Sequence, residues 1–190
     1  PADNAPLVQL GWSTNLAAIN AFRKANSISV NEVPEKRETA RQLYEEALRL
    51  DPNFAIAHAS LAASLYTEAC NDRQPLEAWT EAERHLQRAV SIEPRMAWAH
   101  LTRGQWLGLV RHDWRQAEAE MLRAFELEPS DNYARSKYAM LLIHQGRLFE
   151  AIAEVRKATE ADVTGVGAHS MLGLALYYEQ QFTQALAELD

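Results

Sequence analysis

Leu50-Asp51-Pro52 runs into Ala55-Ile56-Ala57-His58-Ala59-Ser60-Leu61-Ala62, and Ile92-Glu93-Pro94 runs into Ala97-Trp98-Ala99-His100-Leu101-Thr102-Arg103-Gly104. Leu127-Glu128-Pro129 is followed by Asn132-Tyr133-Ala134-Arg135-Ser136-Lys137-Tyr138-Ala139. A fourth string, Val166-Gly167-Ala168-His169-Ser170-Met171-Leu172-Gly173, lacks the proline. Self-similarity on this scale means one supersecondary unit stacked repeatedly, without a single central core.

The segments between these strings carry a second pattern. Trp79, Ala82, Leu86, Ala89 and Pro94 stand in the same register as Trp114, Ala117, Met121, Ala124 and Pro129. Leu148, Ala151, Val155 and Ala158 repeat it with Val163 in the proline place, and Phe182, Ala185 and Leu189 begin it again. Ala40, Tyr44, Ala47 and Pro52 form an earlier copy in which Arg37 departs at the first place. Steps of three and four residues put these side chains on one helical stripe, which reads as a buried face. Alanine in alternate places allows a neighbouring helix to approach closely. The proline ends the helix because it lacks a backbone donor and restricts the residue before it. The paired residues Leu61-Ala62, Arg103-Gly104, Tyr138-Ala139 and Leu172-Gly173 mark where the two helices of a hairpin cross most closely.

This pattern resembles the tetratricopeptide repeat, a helix–turn–helix unit of 34 residues. Pro94 to Pro129 spans 35 residues and Ala124 to Ala158 spans 34. The fold class expected is all-α, a right-handed superhelical array of antiparallel helix pairs. Its divisions are an amino-terminal segment 1–54 with a divergent first repeat, repeats at 55–96, 97–131 and 132–165, and a truncated repeat at 166–190. Helices are expected at 12–30, 36–50, 54–70, 76–91, 96–110, 114–127, 131–145, 148–160, 166–179 and 182–190, with no strand. Pro52 to Pro94 is 42 residues, and the surplus falls in the polar stretch Glu68–Pro75, read as a lengthened turn.

Composition narrows the function. A net charge of −7 and a pI near 5.4 argue against nucleic-acid binding by this segment, because phosphate contacts need concentrated Lys and Arg. No apolar run approaches the roughly 20 residues of a membrane helix. Cys70 is the only cysteine, so no intrachain disulfide forms. The start, Pro1-Ala2-Asp3-Asn4-Ala5-Pro6, has no basic stretch or apolar signal core and reads as a cut within a longer protein.

Most candidate chemistry reduces to structure. His58, His100 and His169 occupy one repeat position, but successive helix layers set them about 10 Å apart, too far to share a metal ion. They read as packing side chains. His112-Asp113 lacks a nucleophile and a pocket, and Asp113 reads as the cap of the helix beginning at Trp114. Cys70 reads as an unreactive thiol. Trp79, Trp114 and Phe182 fall in the stripe and read as core. No phosphate loop, zinc-protease or nucleophile-elbow motif is present, so no catalytic residue, metal or cofactor is assigned.

The family resemblance implies that ligands are met by set places on the first helices, lining a concave groove. Those places hold Ile56, Ala59, Ala63, Tyr66 and Thr67, then Trp98, Leu101, Gln105, Gly108 and Leu109. The next strings supply Tyr133, Ser136, Met140, Ile143 and His144, then Gly167, Ser170, Leu174, Tyr177 and Tyr178. Tyr66, Trp98, Gln105, Tyr133, Met140, His144, Tyr177 and Tyr178 are the candidate binding residues. Ile56, Leu101 and Leu174 read rather as packing. The Lys and Asn clamp of chaperone-binding members is absent, and an apolar, aromatic lining suits a hydrophobic peptide or an amphipathic helix.

A divergent opening repeat, the long turn and the string Asp113-Trp114-Arg115-Gln116-Ala117-Glu118 look like the repeat region of certain bacterial regulators, which carry a winged-helix or nucleotide-cyclase domain. The resemblance implies the partner-binding or signal-receiving part of a cytoplasmic regulator. A scaffold of an envelope-assembly protein and a small-effector domain stay open as alternatives. The last stripe stops at Leu189, so Leu172, Leu176, Phe182, Leu186 and Leu189 are expected to be partly uncovered, favouring self-association or fraying there.

Overall fold

A computed structural model describes residues 11–28, 34–72, 76–161 and 166–189. Among these described residues there are ten helices and no strand: α1 Leu16–Asn26, α2 Pro34–Leu50, α3 Ala55–Asp72, α4 Leu76–Ile92, α5 Ala97–Leu109, α6 Trp114–Leu127, α7 Asn132–His144, α8 Leu148–Ala161, α9 Val166–Tyr178 and α10 Phe182–Leu189. The helix bounds lie close to those expected, with two departures. The first helix is shorter than the expected 12–30, because the Asn15 side chain caps it by accepting from the amides of Ala17 and Ala18. The surplus near Glu68–Pro75 is partly helical. α3 has 18 residues against 13 in α5, α7 and α9, so the insertion lengthens the helix as well as the connection. The side chains of Cys70 and Leu189, and all of Pro1–Pro6 and Val163, lie outside the described residues.

Contacts divide the chain into two units, Pro1–Arg103 and Gly104–Asp190. In the first, α1 packs on α2, α2 on α3 and α3 on α4. An aromatic cluster fills its opening repeat: the Phe22 ring lies 5.1 Å from Phe54, 5.6 Å from Trp12 and 5.8 Å from Tyr44. Such rings bury large apolar areas, and Trp12 meets Phe22 edge-on. The Tyr44 hydroxyl donates to Asn26, and burial raises its pKa to about 12. Residues 11–15 are sewn to the end of α2 and the start of α3. The Ser13 hydroxyl donates to Asp51, the Asn15 side-chain Nδ2 donates to the Leu50 carbonyl at 3.1 Å, and the Ile56 backbone amide donates to the Gly11 carbonyl at 3.2 Å.

In the second unit, the stripe alanines Ala117, Ala151 and Ala185 are buried, as Ala82 is in the first. Gly104 marks a close crossing, since a Cβ there would stand 2.7 Å from Met121 Cγ and 3.0 Å from the Ala117 carbonyl oxygen. The turns within the repeats share a device: His112, Gly146 and Gln180 take positive φ of 54°, 74° and 63° at corresponding places. After α7 and α9 the next amides, of Arg147 and Gln181, donate to the carbonyls of Leu142 and Leu176, which closes the helix ends. Arg147 also binds Glu118 and Glu150, and the Tyr138 hydroxyl donates to Glu118 at 2.7 Å.

Two sequence expectations fail at the last repeat. Leu172 and Leu176 are buried rather than uncovered, because they lie on the inward face of α9 beside Ala168 and Ala175. Phe182 is 53% exposed, against its reading as core and in line with its place on the uncovered last stripe, its ring resting edge-on against Tyr177.

Candidate functional site

The first helices α7 and α9 each have one face turned into the packing and one left open. On α7 the open face carries Tyr133 and His144, with Ser136, Met140 and Ile143 partly exposed between them. The spacing is helical, so these side chains form a single stripe. α9 lies beside α7 and presents Gly167, Ser170, Leu174, Tyr177 and Tyr178 in matching register. Tyr177 and Tyr178 are 58% and 54% exposed, and their rings meet edge-on at 5.9 Å. Tyr133 is 49% exposed, with the Lys137 ammonium 4.9 Å from its ring centroid. That cation–π contact orients the ring and places a positive charge in an otherwise apolar stripe. Gln105, at the head of this unit, is partly exposed on α5.

In the first unit the candidates are drawn further in. Trp98 packs against a buried cluster of Ala55, Ala59, Ala89, Met96 and Ala99, so part of its ring serves stability. Tyr66 is partly exposed on α3.

Several family groove places are closed. Ala59 belongs to that buried cluster, and Leu101 is 1% exposed, consistent with its reading as packing. Gly108 is also buried. A Cβ on it would stand 2.5 Å from Leu141 Cδ1 and 3.5 Å from the Trp114 ring, so it serves the crossing of helices rather than a ligand. Leu174, read as packing, is 39% exposed and joins the open stripe.

Two of the histidines at the repeat position have a role beyond the packing expected of them. His58 Nε2 lies 3.1 Å from the Pro52 carbonyl and His100 Nε2 lies 2.9 Å from that of Pro94. Arg135, at the same place in the next string, donates to the Pro129 carbonyl at 3.0 Å. Each side chain thus reaches back across the turn between repeats and satisfies a carbonyl that the proline leaves at a helix end. Asp113 caps α6 by accepting from the Gln116 amide at 3.0 Å. Among the described residues no group of three or more His, Cys, Asp or Glu could hold a metal ion. No helix among them is long and apolar enough to cross a membrane.

No family model matches the chain. A 74-residue stretch, 38% of the chain, is 39% identical to the protein O-mannosyl-transferase Tmtc2 of Drosophila melanogaster. The chain spans only 8% of that protein's length, so the transferase name does not carry over. The solved structure of YrrB, described as a TPR protein with an unusual peptide-binding site, is 25% identical at a TM-score of 0.54, over 91% of this chain and 83% of that one. The fold is the tetratricopeptide repeat. PilW, a type IV pilus biogenesis factor, has the same fold at a TM-score of 0.74 and 18% identity, over 92% of this chain and 77% of its own. As tetratricopeptide hairpins, α7–α8 and α9–α10 place their first helices side by side, which is what aligns the two open stripes of the second unit.

Proposed function

We propose that this chain is a protein-interaction module whose second unit binds a hydrophobic peptide or amphipathic helix along α7 and α9. The observation that carries the reading is the paired open stripe of Tyr133, Met140 and His144 beside Leu174, Tyr177 and Tyr178. Exposed tyrosines spaced by helical turns are common interface anchors, since they offer a rigid apolar body with a polar tip. The unusual peptide-binding site of YrrB supports a peptide as the ligand. Trp98, Tyr66 and Gln105 extend the candidate set on the other helices.

Within that reading, the module serves as the signal-receiving part of a larger regulator. The string Asp113–Glu118 and the long second repeat support this placement. Self-association at the far end is the second binding mode, supported by Phe182 and Leu186 at 53% and 63% exposure.

A photoreactive phenylalanine analogue placed in the full-length protein at Tyr177, and separately at the outward Arg156, tests the groove in cells. Cross-linked peptides identified by mass spectrometry should come from one apolar or amphipathic segment at Tyr177 and be absent at Arg156. Equal labelling at both positions would reject the stripe as the binding surface.

A further inference from the structure

In the hairpins α3–α4, α7–α8 and α9–α10, the fourth place of the first-helix string faces the third place after the stripe alanine of the second helix. Arg135 meets Glu154 at 3.0 Å, and His169 meets Glu188 at 2.7 Å. In the string from Ala97 the two places read His100 and Glu120. The hairpins α7–α8 and α9–α10 therefore each set a basic group against a carboxylate. The string from Ala55 departs, with His58 facing His85 and no carboxylate between them.

The substitution leaves an ordered chain of donors. Arg84 can only donate, so Nε2 of His85 accepts from it at 3.2 Å. The proton of His85 then sits on Nδ1 and is donated to Nδ1 of His58 at 2.7 Å, and Nε2–H of His58 donates to the Pro52 carbonyl. One tautomer of each ring satisfies all three bonds, an assignment made from the bonding network. Both imidazoles are buried, and together with Pro52, Arg84, Arg88 and Ser91 they line a cleft of about 500 Å3 that has no acidic lining residue. Arg88 is held by a neutral partner, donating to Asn53 at 2.7 Å. The acids facing the group are Glu81 on α4, 3.6 Å from Arg84 and 3.8 Å from His85, and Asp51 at the end of α2.

We propose that this cleft between α3 and α4 binds an external oxyanion, a carboxylate or phosphoryl-type group, which takes the place of the glutamate that the hairpins α7–α8 and α9–α10 supply. Arg84 and Arg88 provide the charge. When the anion draws Arg84 away, Nε2 of His85 takes up a proton from solvent and donates to an anion oxygen. The bond from His85 Nδ1–H to His58 stays as it is, so no other part of the chain has to rearrange. Desolvation, then the proximity of His58 and Arg84, lowers the pKa of His85 to about 4. A bound anion opposes both cationic and desolvation effects and returns the imidazole towards its ordinary 6.5. Anion binding and proton uptake are thereby linked.

The test is an NMR titration of the imidazole nitrogens in the whole chain with sodium sulfate and, separately, sodium acetate, against chloride at equal ionic strength. The His85 and His58 signals should shift saturably with at least one oxyanion. Apparent affinity should be about tenfold tighter at pH 5.5 than at pH 7.5, as restoration of a pKa near 6.5 requires. Tighter sulfate points to a phosphoryl source and tighter acetate to a carboxylate. Arg84→Gln/Arg88→Gln should abolish saturation with unchanged helical circular dichroism, and His85→Gln should remove the pH dependence. Shifts no larger than with chloride, saturation that survives loss of both arginines, or equal affinity at the two pH values would overturn the proposal.

Discussion

His85 stands off the alanine stripe, and nothing in its own neighbourhood of sequence marks it. Its meaning depends on the crossing of α3 and α4, which brings it to His58 at 2.7 Å. The pair also makes stability depend on pH. Burial lowers the pKa of both rings, that of His85 to about 4 from an ordinary 6.5. Across that window the unfolded chain binds more protons than the folded one. The pair's contribution is therefore complete above about pH 6.5 and is lost as the pH falls towards 4. For His85 the loss amounts to roughly 3 kcal/mol at the lower limit. Urea unfolding midpoints in chloride buffers at pH 7 and pH 5 should fall for the native chain and fall less for His85→Leu. An equal decline in the two would mean that carboxylates, not this pair, set the acid response.

At the scale of the helix the small residues decide. Ala117 is fully buried, whereas Ala119, two places on, is exposed. Ala117→Glu should cost more than about 3 kcal/mol, since it forces an unpaired carboxylate into a packed crossing, and Ala119→Glu should stay within about 0.5 kcal/mol. Thermal melts of the two variants check this, and equal midpoints would refute the buried stripe. The left-handed turn residues give a finer contrast. A Cβ on Gly146 meets nothing within 4 Å, so Gly146→Ala should lose about 1 kcal/mol through backbone strain alone. Gln180→Gly, which relieves the same strain, should gain about 0.5 kcal/mol. Both are read from denaturation midpoints. Helix existence was legible in sequence because apolar period, alanine spacing and proline stops all agree. The expected helix 54–70 already took in Glu68–Cys70, but its last two residues were missed, because Asn71-Asp72 shows no apolar period to extend α3 by. The stripe on α7 and α9 could be placed from register. The closure of Ala59 and Gly108 could not, since it depends on which neighbouring side chains fill the space beside them.

For the whole molecule, stability is distributed: Phe22, Phe54, Leu61, Leu65 and Leu86 are fully buried in the first unit, and Met121, Leu141, Leu142, Val155 and Leu176 in the second. A repeat chain built this way depends on local closures, and its connections are of two kinds. Connections between repeats are tied by a side chain from the following helix, as His100 ties the Pro94 carbonyl at 2.9 Å. Connections inside a repeat are closed by a backbone bond, such as the Asp113 amide to the Leu107 carbonyl at 3.0 Å, and carry a residue such as His112 in a strained conformation. The two kinds should therefore differ in lifetime against a protease, although both lie at the surface. Trypsin has an exposed arginine in each, Arg95 and Arg111. Brief digestion followed by intact-mass measurement should find the bond after Arg111 cut well before the bond after Arg95, so the first fragments separate the helices of one hairpin and leave the joints between hairpins whole.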